Sequence, residues 1–335
     1  MTQMAKILAI GSVTKDTFLP TAEGVIIETP EDLLSQRKIA FELGAKYHIA
    51  DKCETLGGCS INVAIGMVKL GLEAQCYAPV GEDETGKWIK AQLQREKIGI
   101  KNLVIIAGHS SDASSIVVDK NSGERVIFSG HDASEKLEIA GEQIDDCSLI
   151  FIGDLSGDWQ KNLETIIATA KAKKIPIAFN PREKAIQEDS RKIMEASSVC
   201  DFLFVNKDEA LEILSSVGEP ISENETALIR EFQKIGVRTV VLTDGVRGAW
   251  VGEKNEILHA EAILQPATVD TTGAGDAFVS GFLSAYLKEK DLATALKWGI
   301  ANSSSSITQY GGQAGLLNRN QIELIAKNIV VQLID

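Results

Sequence analysis

From about Gly58 onward, short β-branched runs alternate with segments of helical period, an alternation that restricts the chain to strand-helix units around a mostly parallel sheet. The runs fall at 7–10, 74–80, 149–153, 175–180, 202–206 and 239–243, and helical stretches at 60–70, 85–97, 159–173, 208–214 and 224–235 lie between most of them. Two segments break the rhythm. Residues 15–55 and 103–129 alternate as strands, for instance Ser115, Ile116, Val117, Val118 and Arg125, Val126, Ile127, Phe128 around the turn residues Asn121, Ser122 and Gly123. These two insertions are expected to form one small β-sheet over a face of the main domain. After Ala262 an extended piece ends in a Thr-Thr-Gly turn and gives way to helices only, the first carrying Phe278, Gly281, Phe282, Ala285 and Tyr286 on one face. A length of 335 residues suits two domains or one large α/β unit, and we read one domain over 1–335.

Lys and Arg number 34 against 47 Asp and Glu, a formal charge of −13, so nucleic acid is repelled overall and only a local pocket would take phosphate. No apolar run approaches the roughly 18 residues of a membrane span, and 7–10 reads as a first strand rather than a signal peptide. The five cysteines are odd in number and contain no C-x-x-C, which argues against disulfides and zinc and for the cytoplasm. His48, His109, His131 and His259 lie far apart, leaving little support for a histidine metal cluster.

Two glycine motifs compete for a phosphate. The run from Gly81 through Gly86 and Lys87 opens like a phosphate loop, yet Trp88 stands where a hydroxyl should hold magnesium. Glu82, Asp83 and Glu84 would repel the anion; a turn opening a helix from Thr85 is the better reading. In Asp270-Thr-Thr-Gly-Ala-Gly-Asp276, the amides of Gly273, Ala274, Gly275 and Asp276 would converge at the positive end of a helix, an anion hole. It lacks the third glycine of a dinucleotide fingerprint and lies far from the N-terminus, which weighs against an oxidoreductase.

The run DTTGAGDAFVSGFLSAYL resembles the C-terminal signature of the ribokinase-like, or PfkB, carbohydrate kinase family, and GGCSINVAIGMVKLGLEAQCYAPVGEDETG at 57–86 is similar to its N-terminal one. The resemblance implies a Rossmann-type three-layer α/β/α sandwich with a β-sheet lid, and transfer of the γ-phosphate of ATP, with Mg²⁺, to a hydroxymethyl group. Asp276 matches the catalytic base, and the Gly273, Ala274 and Gly275 amides would hold the transferring group. Gly57 and Gly58 allow close approach to substrate, while Asp16 and Asn62 can bind vicinal hydroxyls; a helix cap is the structural alternative for Asn62.

Asn206-Lys-Asp-Glu209 resembles the family's N-x-x-E motif, which organises water around Mg²⁺, and by itself also reads as a capping box. Thr243, Gly245 and Gly248 resemble the nucleotide-contacting turn, with Asp244 an unwelcome acid beside it, and Asn302 is expected near adenine. Asp270 and Thr272, with carbonyls around Gly311 and Gly312, would form a site for a monovalent cation such as K⁺, or a polar turn without one. Thr14 and Cys59 depart from ribokinase proper, so a sugar is the default substrate, with a nucleoside or phosphosugar as the alternative. Asn180-Pro-Arg182 fits sugar and nucleoside kinases alike, and Arg182 could read a phosphate or carboxylate. A catalytically silent homologue would be expected to lack Asp276. The uncovered face of the lid suggests a homodimer.

Overall fold

The computed structural model describes residues 5–29, 37–216, 222–265, 268–289 and 291–334. Its spine is a ten-stranded sheet in the order Gln332–Leu333, Glu256–Ala260, Ala249–Glu253, Thr239–Thr243, Phe202–Asn206, Ile177–Phe179, Leu149–Ile152, Lys6–Ile10, Glu73–Gly81 and Gly99–Ile106. From Thr239–Thr243 onward neighbours run parallel, and the three strands before it pair antiparallel. Such strands are buried on both faces, which is why runs like Leu149–Ile152 are apolar throughout. Helices Cys59–Lys69, Glu84–Arg95, Ala274–Glu289, Leu292–Ser306 and Arg319–Ala326 cover one face, burying Ile61, Ile65, Leu93, Phe282, Leu296 and Ile322 against it. Trp159–Lys173, Glu183–Ser197, Lys207–Ser215 and Glu225–Lys234 cover the other through Leu163, Ile186, Ile213 and Leu228. This is the expected three-layer sandwich.

A second sheet takes Cys53–Gly57, Thr14–Thr21, Ala113–Asp119 and Arg125–Gly130 in that order, the middle pair parallel, so both insertions meet in it. Its boundaries differ from the sequence reading. Residues 103–106 belong to Gly99–Ile106, the parallel edge strand of the main sheet, so the second insertion joins the small sheet from Ala113. Within the first, Val25–Glu28 and Arg37–Ala40 pair only with each other, and residues 30–36 lie outside the described ones. The small sheet buries Phe18, Ile116 and Val118, with Cys53 and Tyr310 packed against them.

Three further differences have physical causes. Glu183–Ser197 was not expected as a helix; it is polar and leaves helical geometry at Asp189. The region after 262 is not helical throughout, since Gln332–Leu333 adds an edge strand. Helix Ala274–Glu289 is buried from Asp276 through Tyr286 rather than on one face, because it lies between Cys59–Lys69 and Leu292–Ser306. Among the described residues no helix is long and apolar enough to cross a membrane, and all five cysteines are free thiols.

Candidate active site

Parallel α/β sheets place ligands beyond the carboxyl ends of their strands, where the strand order departs in two directions. Here that point lies between Lys6–Ile10 and Leu149–Ile152. Ser12 and Asp154 follow these strands, and the Ser12 amide donates to the Asp154 carbonyl at 2.8 Å while its hydroxyl donates to the Asp154 carboxylate at 3.1 Å. Both line a cavity of about 710 Å³, together with Asn180, Arg182, Asn206 and Thr243 from the neighbouring strand ends. The small sheet contributes Thr14, Asp16, Ser114, Arg125, Ile127 and Ser129, and the start of helix Ala274–Glu289 contributes Gly273, Ala274, Gly275 and Asp276.

Asp276 is buried and accepts a 2.9 Å hydrogen bond from the Asn62 side-chain amide. Asn62 therefore does not cap its helix; that N-terminus is Gly58, with no side-chain cap and a φ of +95°. A side chain at Gly58 would also strike the Ser12 carbonyl. Gln313 fixes the direction of the Asn62 amide by donating to its Oδ1 at 2.9 Å, which leaves Nδ2 to face Asp276. Gly273, at φ +73°, lies so close that a Cβ would stand 2.5 Å from the Gly312 Cα. The Ala274 amide donates to Thr271 O at 3.2 Å, so Ala274 does not serve as an anion-hole donor. The amides of Gly273, Gly275 and Asp276 meet no acceptor among the described residues, and at Gly275 a Cβ would enter open space. Free amides at a helix start beside an open cradle fit a phosphate group.

Asp16 accepts from the Thr14 hydroxyl at 2.8 Å. Burial pushes its carboxyl above the ordinary value, against the hydroxyls of Thr14 and Ser114 and the charge of His131. Gly57 does not line the cavity; a Cβ there would stand 2.0 Å from Asp16 Oδ2, so its missing side chain makes room for that carboxylate.

Asn206 and Glu209 form a capping box: Asn206 accepts from the Glu209 amide at 2.8 Å and Glu209 accepts from the Asn206 amide at 2.9 Å. They also line the cavity, so capping the helix does not remove them from it. Burial pushes the Glu209 carboxyl up. Only its Oε2 is engaged by the cap, and the pair is the hard-oxygen type that suits Mg²⁺ through water. Asp244 is offset by Arg247, whose Nε donates to it at 2.8 Å, and by Lys207 at 3.9 Å. Gly245 and Gly248 shape that turn without lining the cavity. Asn302, expected near adenine, does not line the cavity: it is fully buried, donates to Ala277 O and Ser280 Oγ at 2.9 and 3.0 Å, and accepts from the Leu317 amide. It locks the Asp276 helix to its neighbour. Asp83, in the false phosphate loop, caps Glu84–Arg95 and binds Ser111 instead.

The PfkB family carbohydrate kinase domain matches residues 42–319. The chain belongs to the PfkB family. It is a phosphotransferase with an alcohol acceptor, a sugar or nucleoside kinase. It is 27% identical over 285 residues to the ribokinase of Haemophilus influenzae, covering 83% of this chain and 88% of that one. The nucleoside kinase of Methanocaldococcus jannaschii superposes with a TM-score of 0.77 at 22% identity, over 97% of this chain and 98% of that one. An Escherichia coli protein described as a ribokinase II, in complex with ATP and Mg²⁺, has a TM-score of 0.76 at 19% identity, with 97% and 99% covered.

In this PfkB kinase the Asp270 carboxylate does not fit the cation site expected from sequence. Oδ1 accepts from the Thr272 amide and hydroxyl at 2.9 and 2.7 Å, and Oδ2 accepts from the Gly311 amide at 2.8 Å. The guanidinium of Arg125 stands 3.6 Å away. Arg125, Asp154, His131 and Gln313 are residues that sequence reasoning missed. Gln313 beside the Gly311-Gly312 pair was the most readable of them, since a polar residue after two glycines in a helical region is out of place.

Proposed function

We propose that this kinase transfers the γ-phosphoryl group of ATP to a primary hydroxyl of a sugar, with Asp276 as the base. The observation that carries this reading is the 2.9 Å hydrogen bond from Asn62 to Asp276, which joins the two signature segments in one cavity beside unused amides. Asp16 and Asn62 bind neighbouring hydroxyls and leave the hydroxymethyl group toward Asp276. As the alcohol oxygen attacks phosphorus, its proton passes to the Asp276 carboxylate and ADP departs. The Gly273, Gly275 and Asp276 amides stabilise the charge gathering on the transferred group. Asn206 and Glu209 would hold Mg²⁺ through water, and the ion would supply neutralisation of the phosphate charge; Thr243 offers a hydroxyl to the same cavity. The lid sheet excludes water from the transfer.

A nucleoside is the second reading, favoured by Ile127, 48% exposed on the cavity wall and of a kind to cover a base. Screening ATP consumption against pentoses, hexoses, phosphosugars and nucleosides tests both. Turnover with an unphosphorylated pentose or hexose is expected, and turnover confined to nucleosides or phosphosugars overturns the sugar assignment. Val126 and Phe128, 38% and 62% exposed on the lid strand, support a homodimer joined through the lids. Light scattering at micromolar concentration is expected to give twice the chain mass, and a monomer rejects this pairing.

A further inference from the structure

Arg125 belongs to the lid, yet its guanidinium reaches the loop that builds the anion hole. Nη1 donates to the Thr271 hydroxyl at 2.9 Å and stands 3.6 Å from Asp270 Oδ1, whose side chain is fully buried. Among the described residues the buried Arg125 Nε–H has no acceptor. One turn earlier, the hairpin tip packs on the same loop: a Cβ at Gly123 would meet the Val269 carbonyl at 3.2 Å. The lid hairpin is thus docked on the loop at two adjoining points, and a cleft between Ser122, Arg125, Thr268 and Thr271 runs along the seam.

A buried carboxylate needs an opposite charge as well as hydrogen bonds. Asp270 has its hydrogen bonds from Thr272 and Gly311, and among the described residues Arg125 is the one cation within 4 Å. We infer that Arg125 is a positioning residue: its lid-borne guanidinium supplies the counter-charge of Asp270, so that the anion loop is ordered without a monovalent cation and only when the lid hairpin is docked. A free ion would order the loop whatever the lid did. An arginine on the lid ties the two together.

The inference rests on the phosphotransfer reading of the loop, so one arm of its test needs no turnover. Thermal melting of the enzyme in KCl and in NaCl at equal ionic strength is expected to give the same Tm, while Arg125→Met melts lower in NaCl and is raised by K⁺. With an accepted sugar and ATP, the wild-type rate is expected to be equal in the two salts. Arg125→Met should lose kcat more than it raises KM, regain about fivefold or more in K⁺, and be partly rescued in NaCl by Arg125→Lys. A wild-type Tm or rate that rises with K⁺ overturns the inference without any variant. So does an Arg125→Met enzyme that matches wild type in NaCl. A failed sugar screen would sink the functional reading and leave the melting comparison decisive.

Discussion

The helix that presents Asp276 and the sheet that covers it are built to opposite standards. Ala274–Glu289 is buried from Asp276 to Tyr286, and Phe282 meets the rings of Phe204 and Phe202 edge-on at 5.5 and 6.4 Å. Among the described residues the lid sheet closes on a small cluster of Phe18, Ile116 and Val118 with Cys53 and Tyr310 packed against it, and its outer strand Arg125–Gly130 is exposed from Val126 onward. Dense packing fixes Asp276, the proposed base, in advance of any substrate, and so lowers the reorganisation needed at the moment of transfer. Sparse packing leaves the cover the lower-stability element, the property a moving lid requires.

Deleting one ring from each region should expose the contrast most strongly. Phe282→Ala is expected to cost about 3–5 kcal/mol of global stability, read as a lowered denaturant midpoint. Phe18→Ala should leave the global transition nearly in place and raise the sugar KM; equal losses from the two would erase the contrast. Next in size, Asp276→Asn should lower kcat by about 10²-fold or more while folding and ATP binding persist. Near-normal turnover of the pure variant would remove Asp276 as base. Gly275→Val fills the open cradle and should cost about tenfold or more in kcat/KM for ATP, whereas unchanged kinetics would remove the phosphate cradle. The smallest effect concerns pH. His131, at the end of the lid strand, is held above its ordinary value of 6.5 by its hydrogen bond to Asp112. Its raised value means that the pair stabilises the end of this strand fully below about pH 6.5 and loses that contribution as pH rises through the folded value. Protection factors of amides 125–130, corrected for the base-catalysed intrinsic rate, should therefore fall by about twofold across that rise, and His131→Gln should abolish that fall.

What could be read from the sequence follows the range of the forces involved. Strands Phe202–Asn206 and Thr239–Thr243 and helix Trp159–Lys173 lie where their local periodicity put them, because burial on both sides of a sheet is written in contiguous residues. Residues 103–106 of the edge strand Gly99–Ile106 were assigned to the lid because their alternation is the same in either sheet, and only pairing with Glu73–Gly81 decides between them. Asn302 was expected near adenine through the family resemblance alone; its partners Ala277 and Leu317 come from other elements, so its packing role was not local. Arg125 and Thr271 are 146 residues apart, and no local pattern marks their meeting. Asn62 and Asp276 were readable because each sits in a motif with its own chemistry. Their hydrogen bond was not.

The proposed difference between a preassembled Asp276 and a movable cover is tested most directly by hydrogen exchange with and without ATP and an accepted sugar. Protection is expected to rise together in Thr14–Thr21, Cys53–Gly57, Ala113–Asp119 and Arg125–Gly130, with Ala274–Glu289 already protected and nearly unchanged. Protection that rises only in the loop 270–275, with the lid strands unaltered, would contradict it.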